Sequence, residues 1–138
     1  MHTRITRTGI RTVVTAFAIS VLSTAAADEF TRGDLGRWQA EFESVVQQGE
    51  KLFHGGLGNA NTMSCDQCHP NASNTHPETY PKFQQQLGKV AQQWEMINWC
   101  IMNPLESDPL AADDAKMIAL QAYINFERRG VAMSPGKH

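Results

Sequence analysis

The stretch Cys65-Asp66-Gln67-Cys68-His69 constrains this chain more than any other, because it fixes three ligand-type side chains within about one helical turn. On such a turn, positions i, i+3 and i+4 share a face. The two thiols can therefore form thioethers to the two vinyl groups of one haem, and the histidine is left beneath the iron as its proximal nitrogen ligand. A Cys-x-x-Cys-His sequence in an exported protein indicates c-type haem attachment. We therefore predict one covalently bound haem c, attached at Cys65 and Cys68 and ligated by His69.

Three other interpretations of the two cysteines compete with haem attachment. A structural zinc site needs four ligands, and the sequence has no second Cys-x-x-Cys pair. A thioredoxin-like redox pair belongs in a βαβ setting, and the sequence shows no strand pattern. A simple Cys65–Cys68 disulfide is compatible with the composition. The export signal at the start of the chain favours haem over all three.

The first 27 residues have the pattern of an export signal. Arg4, Arg7 and Arg11 form a basic region, and the apolar stretch 12–22 that follows is too short to span a bilayer. An Ala-x-Ala cleavage site comes next, cleaved most simply after Ala27. We predict a signal peptide over 1–27 and a single monohaem domain over 28–138, located in the periplasm. No other stretch is long and apolar enough for a membrane helix.

The predicted mature chain is acidic. Three of the 12 Lys and Arg lie in the signal, which leaves nine against 14 Asp and Glu and a formal charge of −5. This balance argues against nucleic acid and anionic membranes as partners. It is compatible with docking to another redox protein. A second c-type cytochrome subunit, forming a heterodimer, is the partner that we expect.

Hydrophobic spacing predicts an all-α fold with three helical segments and no strand. The first helix is predicted from Asp34 to about His54, the second over 83–102, and the third from about Asp108 to Arg129, with either Asp108-Pro109 or Asp113 at its start. Their apolar stripes consist of Leu35, Trp38, Phe42, Val45, Val46, Leu52 and Phe53; then Phe83, Leu87, Val90, Trp94, Ile97 and Ile101; then Met117, Leu120, Tyr123 and Ile124.

The order of these helices around the Cys-x-x-Cys-His stretch resembles class I cytochrome c. In that fold the first and last helices cross and pack beside the haem. Gly49 would allow a close approach at such a crossing, against Leu120 or Tyr123. The resemblance implies a class I cytochrome c-like fold, with three or more helices around one haem.

The residues alone leave the distal ligand of the iron open. Cys100 and Met102 lie 31 and 33 residues after His69. Two helix positions apart, they point roughly 200° away from each other, so only one of them can reach the iron. A methionine ligand raises the reduction potential, whereas a thiolate stabilises ferric iron and lowers it. The weaker candidates lie in loops, in the tail or on a core face: His54, Met63, His76, Met117 and Met133.

Residues 90–130 resemble the distal half of the cytochrome c domain of SoxA and thiosulfate dehydrogenase. The matching features are the run "INWC" ending at Cys100, a short polar loop, and "MIALQAYINFERRG", which ends in Arg-Gly. In that family the cysteine of this run is the distal haem ligand, and it corresponds to Cys100, as the attachment histidine corresponds to His69. The resemblance extends over roughly residues 45–130 and implies His69/Cys100 ligation, with Met102 as the alternative.

Three functions are compatible with these residues. The first is a periplasmic monohaem cytochrome in low-potential electron transfer that also binds nitric oxide or carbon monoxide at the reduced haem. Small paired-subunit His/Cys cytochromes of anaerobic ammonium oxidisers, which the chain resembles in size, bind these gases. The second is a subunit of a thiosulfate- or sulfur-oxidising enzyme complex, and the third is an ordinary His/Met class I electron carrier. Family members that oxidise thiosulfate are generally larger, so we favour an electron-transfer or gas-binding protein over a stand-alone enzyme.

Overall fold

Three α-helices dominate the computed structural model, which describes residues 30–58 and 61–133. They are α1 (Arg32–Lys51), α2 (Gln93–Met102) and α3 (Ala115–Glu127). Short helical turns occur at Leu52–Gly56, Cys65–Gln67, Pro70–Ala72 and Pro77–Thr79. A small antiparallel hairpin of β1 (Lys82–Gln84) and β2 (Lys89–Ala91) precedes α2. The predicted all-α class is confirmed. The predicted signal peptide lies outside the described residues.

Helix α1 begins at Arg32, two residues before the predicted start, because a capping box sets its first turn. The Thr31 side chain accepts a hydrogen bond from the Asp34 backbone N–H, and the Asp34 carboxylate accepts one from the Thr31 backbone N–H, both at 3.1 Å. These reciprocal bonds satisfy two N–H groups that have no partner inside the helix. The carboxylate also makes an exposed ion pair with Arg37 at 2.7 Å.

Helices α1 and α3 cross at Gly49, as the sequence predicts. A Cβ atom placed on Gly49 would lie 1.9 Å from the carbonyl oxygen of Ala119 and 2.7 Å from the Cβ of Tyr123. Only a glycine permits this approach of two helix backbones. Around the crossing the core consists of Val46, Phe53, Ala72, Ile101, Met117, Leu120, Tyr123 and Ile124. The domain is therefore centred on the second half of α1.

The first part of α1, residues 32–44, has no buried side chain and extends beyond this core. Three residues of the predicted apolar stripe, Leu35, Trp38 and Phe42, are 54%, 42% and 43% exposed. The physical reason is length: at 1.5 Å per residue the 20-residue α1 is about 30 Å long, whereas the 13-residue α3 is about 20 Å long. Because the two helices cross near the end of α1, α3 cannot cover its beginning.

The prediction that residues 83–92 belong to the second helix is wrong, as is the prediction that the chain has no strand. Phe83 pairs with Val90 across the hairpin, and Gly88 has a φ of +65° in the turn between the strands. The step of seven residues from Phe83 to Val90 fits a helix stripe, but it also fits two positions that face each other across a short hairpin. Both side chains are more than half exposed.

The third helix begins later than predicted, at Ala115. Its N-cap is Asp114, whose carboxylate accepts a hydrogen bond from the Lys116 backbone N–H at 2.7 Å. The segment from 103 to 114 is a loop that one α2 side chain holds in place. The Asn98 amide donates to the carbonyl of Leu110 at 2.8 Å and accepts from the Leu110 N–H at 2.9 Å.

Replacing Asn98 by alanine is expected to lower the free energy of unfolding by about 2–3 kcal/mol, because a buried side chain that satisfies two backbone groups would be lost. Denaturant titration of the haem-loaded protein measures this change. Asn103→Ala is the matched control, since this exposed side chain makes one hydrogen bond, to the Trp99 carbonyl at 2.7 Å. If both variants lost the same free energy of unfolding, the Asn98 hydrogen bonds to Leu110 would not be what fixes the loop.

Candidate haem-binding site

A cavity of about 340 Å³ lies between the attachment turn, the hairpin, α2 and α3. It brings together Cys65, Cys68, His69 and Cys100, which the sequence separates by up to 35 positions. Much of the remaining wall is apolar and comes from the turn after α1, from α2 and its following loop, and from α3: Phe53, Met96, Ile97, Leu105, Leu120 and Ile124. A deep apolar cavity with a few polar groups is the usual form of a cofactor site.

The attachment turn directs its three side chains into this cavity. The backbone N–H groups of Cys68 and His69 donate to the carbonyl of Cys65 at 3.3 and 2.9 Å, which closes the turn. The Nδ1 atom of His69 lies 2.9 Å from the carbonyl oxygen of Ser73. Because a carbonyl only accepts, Nδ1 carries the proton, and Nε2 is left as a lone-pair donor for a metal.

The chemistry of the cysteines fits covalent haem. All three cysteines are free thiols. Burial raises the pKa of Cys65 to about 12, with a further contribution from Cys100 and Asp66, so the environment disfavours a negative charge on this sulfur. A thioether is neutral and suits such a site. Burial also raises the pKa of Cys100, with Cys68 as the second cause. Haem iron would supply positive charge at this sulfur.

The other side chains weighed as distal ligands lie elsewhere or have other contacts. Met102 does not line the cavity and is 46% exposed. Met117 is fully buried in the core, and Met133 is 70% exposed. Met63 lines the cavity close to the attachment turn, and His76 forms an ion pair with Glu78 at 3.1 Å.

His54 connects the attachment turn to α3. Its Nδ1 lies 2.8 Å from the Asp66 carboxylate, and its Nε2 lies 3.2 Å from the Tyr123 hydroxyl. Asp66 also accepts a hydrogen bond from the Ser64 hydroxyl, and this bond is the largest cause of the lowered pKa of Asp66. Together these contacts orient the turn that carries Cys65 and Cys68 against the two crossing helices.

Sequence reasoning missed the polar residues that line the cavity beside the hairpin. Tyr80, Lys82, Gln84 and Gln93 all contribute to its wall. These side chains line the cavity because the hairpin forms, and the prediction of one helix over 83–102 did not include a hairpin. A turn signal was present at Gly88, and it would have separated this region from α2.

The helical fold and the Cys-x-x-Cys-His turn at one end of an apolar cavity define a c-type cytochrome. A family model described as "SoxA/TsdA, cytochrome c domain" matches residues 48–133. This match extends over more than half of the chain, which therefore belongs to the SoxA/TsdA cytochrome c domain family. Searches of curated proteins and of solved structures gave no match.

Membership of this family confirms several predictions. The cytochrome c-like fold and the covalently bound haem c are confirmed, and the chain acts in electron transfer. Cytochrome domains of this type act in redox complexes and are typically exported. Within residues 30–58 and 61–133, no helix has both the length and the apolar character needed to cross a membrane.

Proposed function

We propose that this chain is a periplasmic monohaem cytochrome with His69 and Cys100 as axial ligands. It would transfer single electrons at low potential and bind nitric oxide or carbon monoxide when reduced. The observation that carries the proposal is that Cys100 lines the same cavity as Cys65, Cys68 and His69, whereas Met102 does not. The family match supports it, because the resemblance noted above implies that a cysteine is the distal ligand at this position.

The geometry of α2 supports Cys100 over Met102. The helix runs from Gln93 to Met102, so both residues lie in its last turn and point in widely different directions. Met96 and Ile97, one turn before Cys100, line the cavity with it. This face of α2 is the one that would meet the haem, and Met102 lies off it.

The choice of ligand has a consequence for electron transfer and gas binding. A thiolate ligand favours the ferric state of haem and so lowers its reduction potential. Cys100 would be held less strongly in the reduced protein, because the attraction between its sulfur and the metal falls with the charge of the metal. Its departure would leave an apolar wall of Met96 and Ile97 around the distal position. Such a wall suits a small, weakly polar diatomic gas.

The proposed setting is the periplasm, with a second c-type cytochrome subunit as the redox partner in a heterodimer. The export pattern of residues 1–27 supports the location. The formal charge of −5 on the remaining chain and the occurrence of these domains in redox complexes support a protein partner.

The decisive experiment compares Cys100→Ala and Met102→Ala with the parent protein, all haem-loaded and ferric. We expect the thiolate signature in the absorption and EPR spectra to disappear in Cys100→Ala. Met102→Ala is the matched control and should keep it, since this side chain is exposed outside the cavity. A methionine signature lost only in Met102→Ala would instead make the chain an ordinary His/Met carrier.

Gas binding is tested separately on the reduced protein. Addition of nitric oxide or carbon monoxide is expected to shift the haem absorption bands. No shift with either gas would refute this part of the proposal and leave electron transfer intact. Reduction of the haem by thiosulfate, alone or with a partner cytochrome, would instead support a subunit of a sulfur-oxidising complex.

A further inference from the structure

The cavity has a polar edge beside the hairpin. Tyr80, Lys82 and Gln93 all line the cavity. The Lys82 ammonium lies over the Tyr80 ring, and Lys82 pairs across the hairpin with the residue two positions before Gln93, which places the three on the same edge. The walls formed by α3 and by the turn after α1 are apolar by contrast. A site with hydrogen-bond donors on one edge and apolar side chains on the other suits a flat, largely apolar molecule that carries its charge on one side.

Gln93 supplies a donor that has no acceptor within the described part of the chain. Its side-chain oxygen accepts a hydrogen bond from the Asn125 amide at 3.3 Å, which fixes the orientation of the Gln93 amide. Its Nε2 is buried and makes no hydrogen bond. Buried donors in folded proteins are nearly always paired, so this atom indicates a missing acceptor.

Tyr80 supplies a second donor. Its hydroxyl oxygen accepts a hydrogen bond from the Gln84 side chain at 2.5 Å, so its own proton is left for another acceptor. Burial raises the pKa of Tyr80 to about 12, which keeps this proton in place at neutral pH. Gln84 is itself buried and holds the ring at the cavity edge.

Lys82 supplies the positive charge. It is the one Lys or Arg among the described residues that line the cavity, and its ammonium lies 4.7 Å from the centre of the Tyr80 ring. Burial lowers the pKa of Lys82, and the Glu78 carboxylate acts in the opposite direction. Glu78 forms its own ion pair with His76, and no ion pair joins it to Lys82 in the described structure. A partly buried ammonium of this kind favours an anion beside it.

We propose that Tyr80, Lys82 and Gln93 bind the propionate carboxylates of haem c. Haem carries two carboxylates on one side of the macrocycle, and these three residues offer one cation and two neutral donors on one edge of the cavity. This assignment of the propionate-binding residues rests on the presence of covalent haem c. It does not depend on whether Cys100 or Met102 is the distal ligand. Lys82 then places a positive charge beside the cofactor, so it acts on the reduction potential as well as on orientation.

Resonance Raman spectroscopy of the haem-loaded protein tests the assignment through the propionate bending bands. These bands should shift in Tyr80→Phe, in Gln93→Leu and in Lys82→Met. Lys89→Met is the matched control, because Lys89 lies in the same hairpin, carries the same charge and pairs with Glu95 outside the cavity. It should leave the bands unchanged. Lys82→Met should also lower the reduction potential more than Lys89→Met does.

Absorption and circular dichroism spectra establish that each variant is folded and haem-loaded before the bands are compared. Unchanged bands in all three folded variants would overturn the assignment. A change in the ferric absorption spectrum on adding thiosulfate, lost in Lys82→Met, would also overturn it, because the edge would then receive an external sulfur anion. Neither result bears on the Cys100 experiment, which depends on the EPR signature of the distal ligand.

Discussion

Replacing Gly49 by alanine is expected to lower the free energy of unfolding of the haem-loaded protein by about 3 kcal/mol or more. The added methyl carbon would lie 1.9 Å from the carbonyl oxygen of Ala119 and 2.6 Å from its carbon. Both atoms belong to the backbone of α3, so no side-chain rotation relieves the clash. The helices must move apart, and the packing of Phe53 against Tyr123, with ring centroids 5.1 Å apart, would loosen with them.

Gly36→Ala is the control for this prediction. It places the same methyl group in the same helix, at a position with nothing within 4 Å. There alanine should raise the free energy of unfolding by about 0.5–1 kcal/mol, because it restricts the unfolded chain and favours the helix. Denaturant titration of both variants gives the comparison. If Gly49→Ala proved as stable as the parent protein, α1 and α3 could not cross as described.

Replacing both Cys65 and Cys68 by serine is expected to abolish covalent haem. A serine hydroxyl does not form the thioether, and the coordinate bond from His69 would be the only link left in this turn. Haem staining after denaturing electrophoresis, together with the mass of the intact chain, measures the loss. Each single variant should keep one thioether, which shifts the band of its pyridine haemochrome.

Cys100→Ser distinguishes attachment from ligation. This variant should keep covalent haem, because Cys100 lies outside the Cys-x-x-Cys-His turn. If it lost covalent haem while Cys68→Ser retained both thioethers, the assignment of attachment and ligand positions would be wrong.

Sequence patterns were most informative where the chemistry is local. Cys65, Cys68 and His69 lie within five residues, so their shared direction follows from one turn of backbone. The crossing at Gly49 was also predictable, because a glycine inside an apolar helix face has few other uses. The distal position was different. Spacing could not decide between Cys100 and Met102, since the rotation of α2 about its axis is set by tertiary packing.

The hairpin and the exposed start of α1 could not be obtained from periodicity. Phe83 and Val90 repeat at a helical interval, yet they are partners across two strands. Trp38 and Phe42 continue the apolar stripe of α1, but whether such a stripe is covered depends on the length of the opposite helix. The polar cavity edge was missed for the same reason, because Gln93 comes near Tyr80 and Lys82 only once the hairpin pairs Lys82 with Ala91.

The unequal lengths of α1 and α3 divide α1 into two parts with different resistance to local opening. None of the residues from 32 to 44 is buried, so this part depends on its capping box and on exposed contacts such as the Gln39–Glu43 hydrogen bond at 2.8 Å. Among the described residues, its one ring contact with α3 is between Phe42 and Phe126, with centroids 6.3 Å apart, and a helix of that length with so little tertiary support is marginal in water. Backbone amides there should exchange hydrogen through fraying, whereas those near Gly49 should exchange only when the whole domain opens. The boundary of the cooperative folding unit therefore lies inside a continuous helix.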